Sequence, residues 1–174
     1  MMPRVSVIIP ARNAGSYIYD SLSSILKQSF SNFELIVVDD GSIDNTSEIV
    51  LNLSIDKRVR LFKNPEGGNM SSALNLAISH SYGEYLVRMD ADDVALPNRL
   101  KTQVDFMDNN PDIVAAGSYV RTFGVGISRV WRFPTAPAEV DAELLFRNPI
   151  AHPSTIIRKD AIRRVNGYDT DFQY

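Results

Sequence analysis

The chain has 174 residues, enough for one domain with a substantial core. Hydrophobic residues make up 44% and charged residues 22%, so neither a disordered nor a low-complexity chain fits. With 18 Lys+Arg against 21 Asp+Glu the net charge is −3, which argues against nucleic acid as a partner, and the absence of Cys excludes disulfides, thiolate nucleophiles and Cys-ligated zinc.

The first apolar run, Val5-Ser6-Val7-Ile8-Ile9, is too short to span a bilayer or form a signal core, and the chain reads as a soluble, cytoplasmic protein. Its β-branched residues and Pro10 predict a buried strand that stops at the proline. Ile18, Leu22, Ile25 and Leu26 recur at helical spacing and predict a helix over 16–28. Leu35-Ile36-Val37-Val38 is a second strand, ending at Asp39-Asp40-Gly41-Ser42. Ile49, Val50 and Leu53 mark a short helix that Asp44 or Asn45 is placed to cap.

Val59 to Phe62 gives a third strand, followed by turn residues Asn64 to Gly68. Met70, Ala73, Leu74, Ala77 and Ile78 form the next helical stripe, closed by Gly83. A fourth strand, Tyr85-Leu86-Val87, runs into Arg88-Met89-Asp90-Ala91-Asp92-Asp93, and Pro97 opens a helix carrying Leu100, Val104 and Met107. This alternation to about residue 110 predicts an α/β fold, a mostly parallel sheet with helices on both faces. Beyond it the pattern changes. Residues 113–123 and 127–133 flank Gly124-Val125-Gly126 as a hairpin, 137–146 reads as a helix and 154–157 as a strand. A last short helix lies between an Asp160 cap and Gly167. Residues 1–174 thus read as one domain with a mixed second half.

Ligands of an open parallel sheet bind outside the carboxyl ends of its strands. Asp39-Asp40 and Asp90 to Asp93 both fall at such ends, and a strand order 3-2-1-4 places the loop Pro10-Ala11-Arg12-Asn13 between them. On an extended segment Asp90 and Asp92 project to one side. Paired carboxylates of this kind hold a hard divalent cation, with water and phosphate oxygens completing its shell. The alternative is a solvated turn capping the next helix.

The segments Val5 to Asn13, Phe33 to Asp44 and Gly83 to Asp93 resemble family 2 glycosyltransferases of the GT-A fold. Asn148 to Ser154 and Asn166-Gly167-Tyr168-Asp169 are also similar to family members, in the same order. The resemblance implies inverting transfer of a sugar from a nucleotide-sugar donor, usually a UDP-sugar, with Mn²⁺ or Mg²⁺, to a glycan, polysaccharide or lipid-linked acceptor. It implies Asp40 at the uracil, Pro10 and Asn13 along base and ribose, Asp92 on the metal, and Asp90 and Asp93 as ribose or further metal contacts. Asn75 and His152 are weaker donor-side candidates, each with a structural alternative. Family members carry a general base in a Glu-Asp pair shortly after a segment like Gly167 to Tyr174, so the base is expected after Tyr174. The chain therefore reads as truncated, with Asp169 and Asp171 as weak substitutes and any membrane association left to residues outside it. A GT-A-like nucleotidyltransferase is disfavoured by the single Gly and single Arg in the loop after the first strand. A non-catalytic nucleotide-sugar-binding module is the other alternative. No G-x-G-x-x-G follows the first strand, which disfavours a dinucleotide-binding dehydrogenase.

Overall fold

The structure, a computed structural model, describes residues 2–64, 67–124 and 126–171. Eight strands and six helices follow one another as β1 (Val5–Ala11), α1 (Ile18–Leu26), β2 (Phe33–Asp39), α2 (Thr46–Leu53), β3 (Val59–Lys63), α3 (Met70–His80), β4 (Tyr85–Arg88) and α4 (Arg99–Asn109). They continue as β5 (Ala115–Ala116), β6 (Val120–Arg121), β7 (Val130–Trp131), α5 (Pro137–Leu144), a 3₁₀ turn (His152–Ser154), β8 (Ile156–Arg158) and α6 (Lys159–Arg164). The main sheet has the order β3-β2-β1-β4-β8-β5. Its β3-β2-β1-β4 part is parallel, whereas β8 runs antiparallel to both β4 and β5.

The unbroken apolar runs of β1 and β2 follow from burial on both faces. Val5, Val7, Ile9, Leu35 and Val37 pack with Ile18, Leu22, Ile25, Leu100, Val104 and Met107 of α1 and α4 on one side. The alternate residues Ile8, Ile36, Val38 and Leu86 pack against Ala73, Leu74, Ala77 and Ile78 of α3 on the other.

A buried carboxylate ties the amino ends of these strands together. Glu34, opposite Ser6 in the ladder, accepts from Ser6 Oγ (2.7 Å), Tyr82 N (2.6 Å) and Arg60 Nη1 (2.6 Å). Ser6 Oγ in turn accepts from Gly83 N at 2.8 Å.

Several expectations are corrected. Pro10 does not stop β1, because β4 pairs only with Val5 to Ile8 and leaves the proline's missing N–H without a neighbour to disappoint. Gly83 does not close α3, which ends at His80. Its role is close approach, since a Cβ there would lie 2.4 Å from Ser6 N. Pro97 precedes α4 rather than opening it, and Asn98 is the cap residue. Asp44, not Asn45, takes the Thr46 N–H at the start of α2.

The expected hairpin over 113–133 divides. Ala115–Ala116 joins the main sheet beside β8, and only Val120–Arg121 pairs with Val130–Trp131. The expected strand over 154–157 begins two residues later, after the 3₁₀ turn. Asp160 lies inside the first turn of α6, where it pairs with Arg164, and Arg158 takes the cap position. The exit of α6 is a Schellman turn: Gly167 N bonds Ile162 O and Asn166 N bonds Arg163 O, with φ positive at both residues.

Removing the shared acceptor would strand three donors at one place. Glu34→Ala is expected to cost about 3 kcal/mol or more, a Tm lowered by roughly 10 °C in thermal unfolding. Asp105→Ala, which breaks an exposed pair with Lys101, should shift Tm by little.

Candidate functional site

The carboxyl ends of β2, β1 and β4 lie side by side, and the loops leaving them are fixed by bonds to one another. Asp39 closes β2. Its buried carboxylate accepts from Ser42 N (2.8 Å) and from Ser47 Oγ. Burial works against the charge, but these hydrogen bonds outweigh it and hold the carboxyl below its ordinary range. Asp39 thus makes the turn into Gly41-Ser42. Asp40, also buried, instead receives Asn64 Nδ2 at 2.6 Å, and Ser72 Oγ donates to Asn64 Oδ1 at 3.4 Å.

Asn13 sits in the left-handed region at φ 51° and bridges to the next loop. Its N–H reaches Ser42 Oγ (3.0 Å) and its Oδ1 accepts from Ile43 N (2.9 Å). Pro10 lies within β1 opposite Val38. Gly67 and Gly68 both have positive φ. Gly68 N bonds Asp40 O, and the Arg12 guanidinium lies close over Gly68. Asn64, Pro65 and Glu66 belong to the same expected loop, of which Pro65 and Glu66 lie outside the described residues.

After β4 the chain does not stay extended. Asp93 N bonds Asp90 O at 3.3 Å, so Asp90 to Asp93 is a tight turn and the carboxylates are gathered by the turn, not by strand alternation. Asp92 is exposed. Asp93 is half-buried and its pKa is raised, first by burial and then by the charges of Asp90 and Asp92. Hard oxygen donors suit Mg²⁺ or Mn²⁺, and a turn with excess negative charge gains from a cation. No group of three possible ligands is preassembled among the described residues, so a bound ion would draw further oxygens from substrate and water. The carboxylates of this turn are donors of the chemical type such an ion takes.

A buried arginine, Arg88, and a half-buried one, Arg99, lie beneath this turn, and sequence reasoning gave neither a role. The Arg88 side chain, 4% exposed, pairs with Asp90 at 2.5 Å and reaches Met70 Sδ at 3.4 Å. Its Nε has no partner among the described residues. Arg99 Nη2 donates to the carbonyls of Arg88 (2.7 Å) and Pro153 (2.8 Å), and burial lowers its pKa to about 10. A charged residue closing a buried strand immediately before Asp-X-Asp-Asp was the available signal for Arg88.

His152 joins this group from the 3₁₀ turn. Its Nε2 lies 2.9 Å from Tyr168 Oη, and burial, with the nearby Arg88 charge, lowers its pKa to about 4. Asn75 holds the Tyr168 backbone with both amide atoms, donating to its carbonyl and accepting from its N–H at 2.8 Å each. That places Asn75 as a clamp on the 166–168 segment. Asp169 and Asp171 are exposed just beyond it, with Asp171 N bonded to Asp169 Oδ1 at 2.9 Å. Residues 172–174 lie outside the described residues, as does the position expected for the general base. A groove of about 690 Å³ lined in part by Glu84, Arg158 and Lys159 lies at the opposite edge of the sheet, away from these carboxylates. Its basic groups are largely spent on backbone carbonyls.

A mostly parallel sheet with an antiparallel outer part, and aspartates at two strand ends beside the central strand, define an open α/β architecture. Residues 6–165 match the family described as Glycosyl transferase family 2, and the chain belongs to that family. It is 35% identical over 172 residues to an uncharacterized glycosyltransferase of Haemophilus influenzae, covering 92% of this chain and 53% of that protein. It is 38% identical over 115 residues to WfgD of Escherichia coli, a UDP-Glc:alpha-D-GlcNAc-diphosphoundecaprenol beta-1,3-glucosyltransferase, covering 66% of this chain and 45% of that one. The chain spans about half the length of the curated relatives it matches. Among solved structures, Staphylococcus aureus TarS 1-349 superposes with a TM-score of 0.79 at 23% identity, covering 98% of this chain and 52% of that one. The mannosyltransferase PcManGT of Pyrobaculum calidifontis, in complex with GDP-Man and Mn²⁺, gives 0.72 at 23%, covering 98% and 49%. These likenesses bear out the GT-A fold.

Two pH effects follow. Asp93 has a raised folded-state pKa, so its ionisation weakens the fold as pH rises through that pKa. Asp93→Asn should therefore raise Tm at neutral pH without metal, and the gain should vanish in acid where Asp93 is already protonated. His152 has a lowered folded-state pKa, so its stabilising contribution is complete above the unfolded value of 6.5 and is lost as pH falls from there toward 4. His152→Gln should flatten the fall in Tm across that window, and the imidazole resonance that this variant removes should show a neutral ring at pH 6.

Proposed function

We propose that this chain forms the donor-binding part of an inverting glycosyltransferase that takes a nucleotide sugar, in the first instance a UDP-sugar, with a divalent cation. The supporting observation is the junction of Asp39-Asp40 with the Asp90 to Asp93 turn across β1, within a chain of this family. The 1–110 part carries the nucleotide and 111–174 begins the acceptor side. Asp40 faces the base, Pro10 and Asn13 line base and ribose, and Asp90 and Asp93 meet ribose or metal. UDP-sugar use draws on the name of the WfgD relative, and metal use on the Mn²⁺ in the PcManGT complex.

The chemistry divides by charge. Transfer with inversion leaves negative charge on the departing diphosphate, and a divalent ion held by Asp92 and Asp90 would offset it. Arg88 neutralises part of the Asp90 charge from below, whereas no cation is paired with the exposed Asp92 among the described residues. Asp92 is accordingly the carboxylate with most to gain from a cation. A neutral His152 beside Tyr168 adds no positive charge that would compete with it.

Thermal unfolding with UDP, GDP and TDP, each with Mn²⁺ or with EDTA, tests the reading. A nucleotide at a hundred times its Kd stabilises by about 2.7 kcal/mol, a rise of roughly 5–10 °C for a chain of this size. The expected result is a rise with UDP and Mn²⁺ that EDTA and Asp92→Asn both abolish. A cooperative melt indifferent to every nucleotide would remove the donor assignment, and a shift that survives EDTA would remove the metal.

A further inference from the structure

The β6–β7 hairpin has a composition unlike the rest of the chain. From Tyr119 to Phe133 it carries Arg121, Arg129 and Arg132 and no acidic residue, in a protein of net charge −3. Every described residue from Arg121 to Arg132 is exposed, the apolar ones included: Phe123 is 67% exposed, Ile127 81% and Trp131 56%. The ladder pairs Val120 with Trp131 and Arg121 with Val130, and Thr122 N bonds Arg129 O at 2.9 Å. Phe123, Gly124 and Gly126 to Ser128 therefore lie at the tip. A Cβ on Gly124 or Gly126 would meet nothing within 4 Å, so the tip stands clear of the remaining fold.

An isolated two-stranded hairpin gains little in water, and burying large apolar side chains would stabilise it. We infer that this hairpin docks on an anionic phospholipid bilayer, inserting Phe123 and Ile127 tip-first. Arg121, Arg129, Arg132 and Trp131 then form a collar at headgroup depth. Two features select this occupant. The charge is of one sign and complements anionic lipid, and the indole lies further from the tip than the purely apolar residues, where amphipathic aromatics sit at a membrane interface. The proposal is independent of the donor assignment.

Trp131 is the only tryptophan in the sequence, so its emission reports directly on the collar. The intact chain should show a blue shift with phosphatidylcholine vesicles containing phosphatidylglycerol, and quenching by a doxyl group placed shallowly in the bilayer. Phosphatidylcholine alone should give little change, and high salt should reverse the shift. Combining Arg121→Gln, Arg129→Gln and Arg132→Gln should weaken partitioning about a hundredfold, as the loss of three basic side chains near an anionic surface implies. Arg129 serves the ladder through its backbone, so an unchanged circular dichroism melt is expected of this variant. Phe123→Ser with Ile127→Ser should abolish the shift. Emission indifferent to lipid overturns the proposal, as does an equal shift on neutral vesicles. A shift with heparin but not with vesicles would assign the hairpin to anionic glycans. A shift that grows with protein concentration alone would assign it to a second copy of the chain.

Discussion

The site depends on β1 being held in parallel register from both sides. Val5 to Ala11 pair with Phe33 to Asp39, while Val5 to Ile8 pair with Tyr85 to Arg88. Two chain segments about fifty residues apart are thereby brought to the same end of one strand. The order matters as much as the pairing. Had β4 joined the free side of β3, β1 and its Pro10 to Asn13 loop would no longer lie between the two aspartate clusters. The same register sets Glu34 opposite Ser6, so the buried carboxylate that unites the amino ends and the aspartates that gather at the carboxyl ends follow from one alignment.

Negative charge is concentrated at those ends, and the fold balances it unevenly. Arg88 and Arg99 lie below the turn, with Arg88 paired to Asp90 and Arg99 spent on the carbonyls of Arg88 and Pro153. Asp39 is stabilised as an anion by Ser42 and Ser47. Asp93 is left with a raised pKa, first because it is partly buried and then because Asp90 and Asp92 oppose its charge. The carboxylate repulsion is what a divalent ion would relieve, and it links the packing of β4 to the proposed donor chemistry.

The first and second halves of the chain obey different rules. Up to α4, the residues of β1, β2 and β4 are almost all buried by helices on two faces, while β3 at the sheet edge is largely half-buried. Beyond it the elements are short, α5 has no buried residue, and β6–β7 projects with its apolar side chains in solvent. The later segments that do pack are those tied to the site. The 3₁₀ turn, β8 and the Tyr168 clamp all attach to β4 or α3. Packing and charge thus separate a buried first half from a second half that leaves more of its surface in solvent.

Prediction from the sequence succeeded where burial on two faces wrote itself into the residues. The runs at Val5 to Ile9 and Leu35 to Val38 and the helical stripes between them determined an α/β fold; the strand order 3-2-1-4 was supposed and the structure has it, and the resemblance to family 2 glycosyltransferases agrees with the family match. Local chemistry was read less well where a residue's partner is distant. Gly83 looked like a helix stop and is a close approach to Ser6. Asn75 looked like a donor contact and clamps Tyr168. The first arm of the expected hairpin was taken in part by β8. Only the tertiary structure decided these, together with the pairing of Arg88 with Asp90 and the lowered pKa of His152. Periodicity records which face of an element is buried, whereas hydrogen-bond partners and pKa shifts depend on what other segments bring to that face.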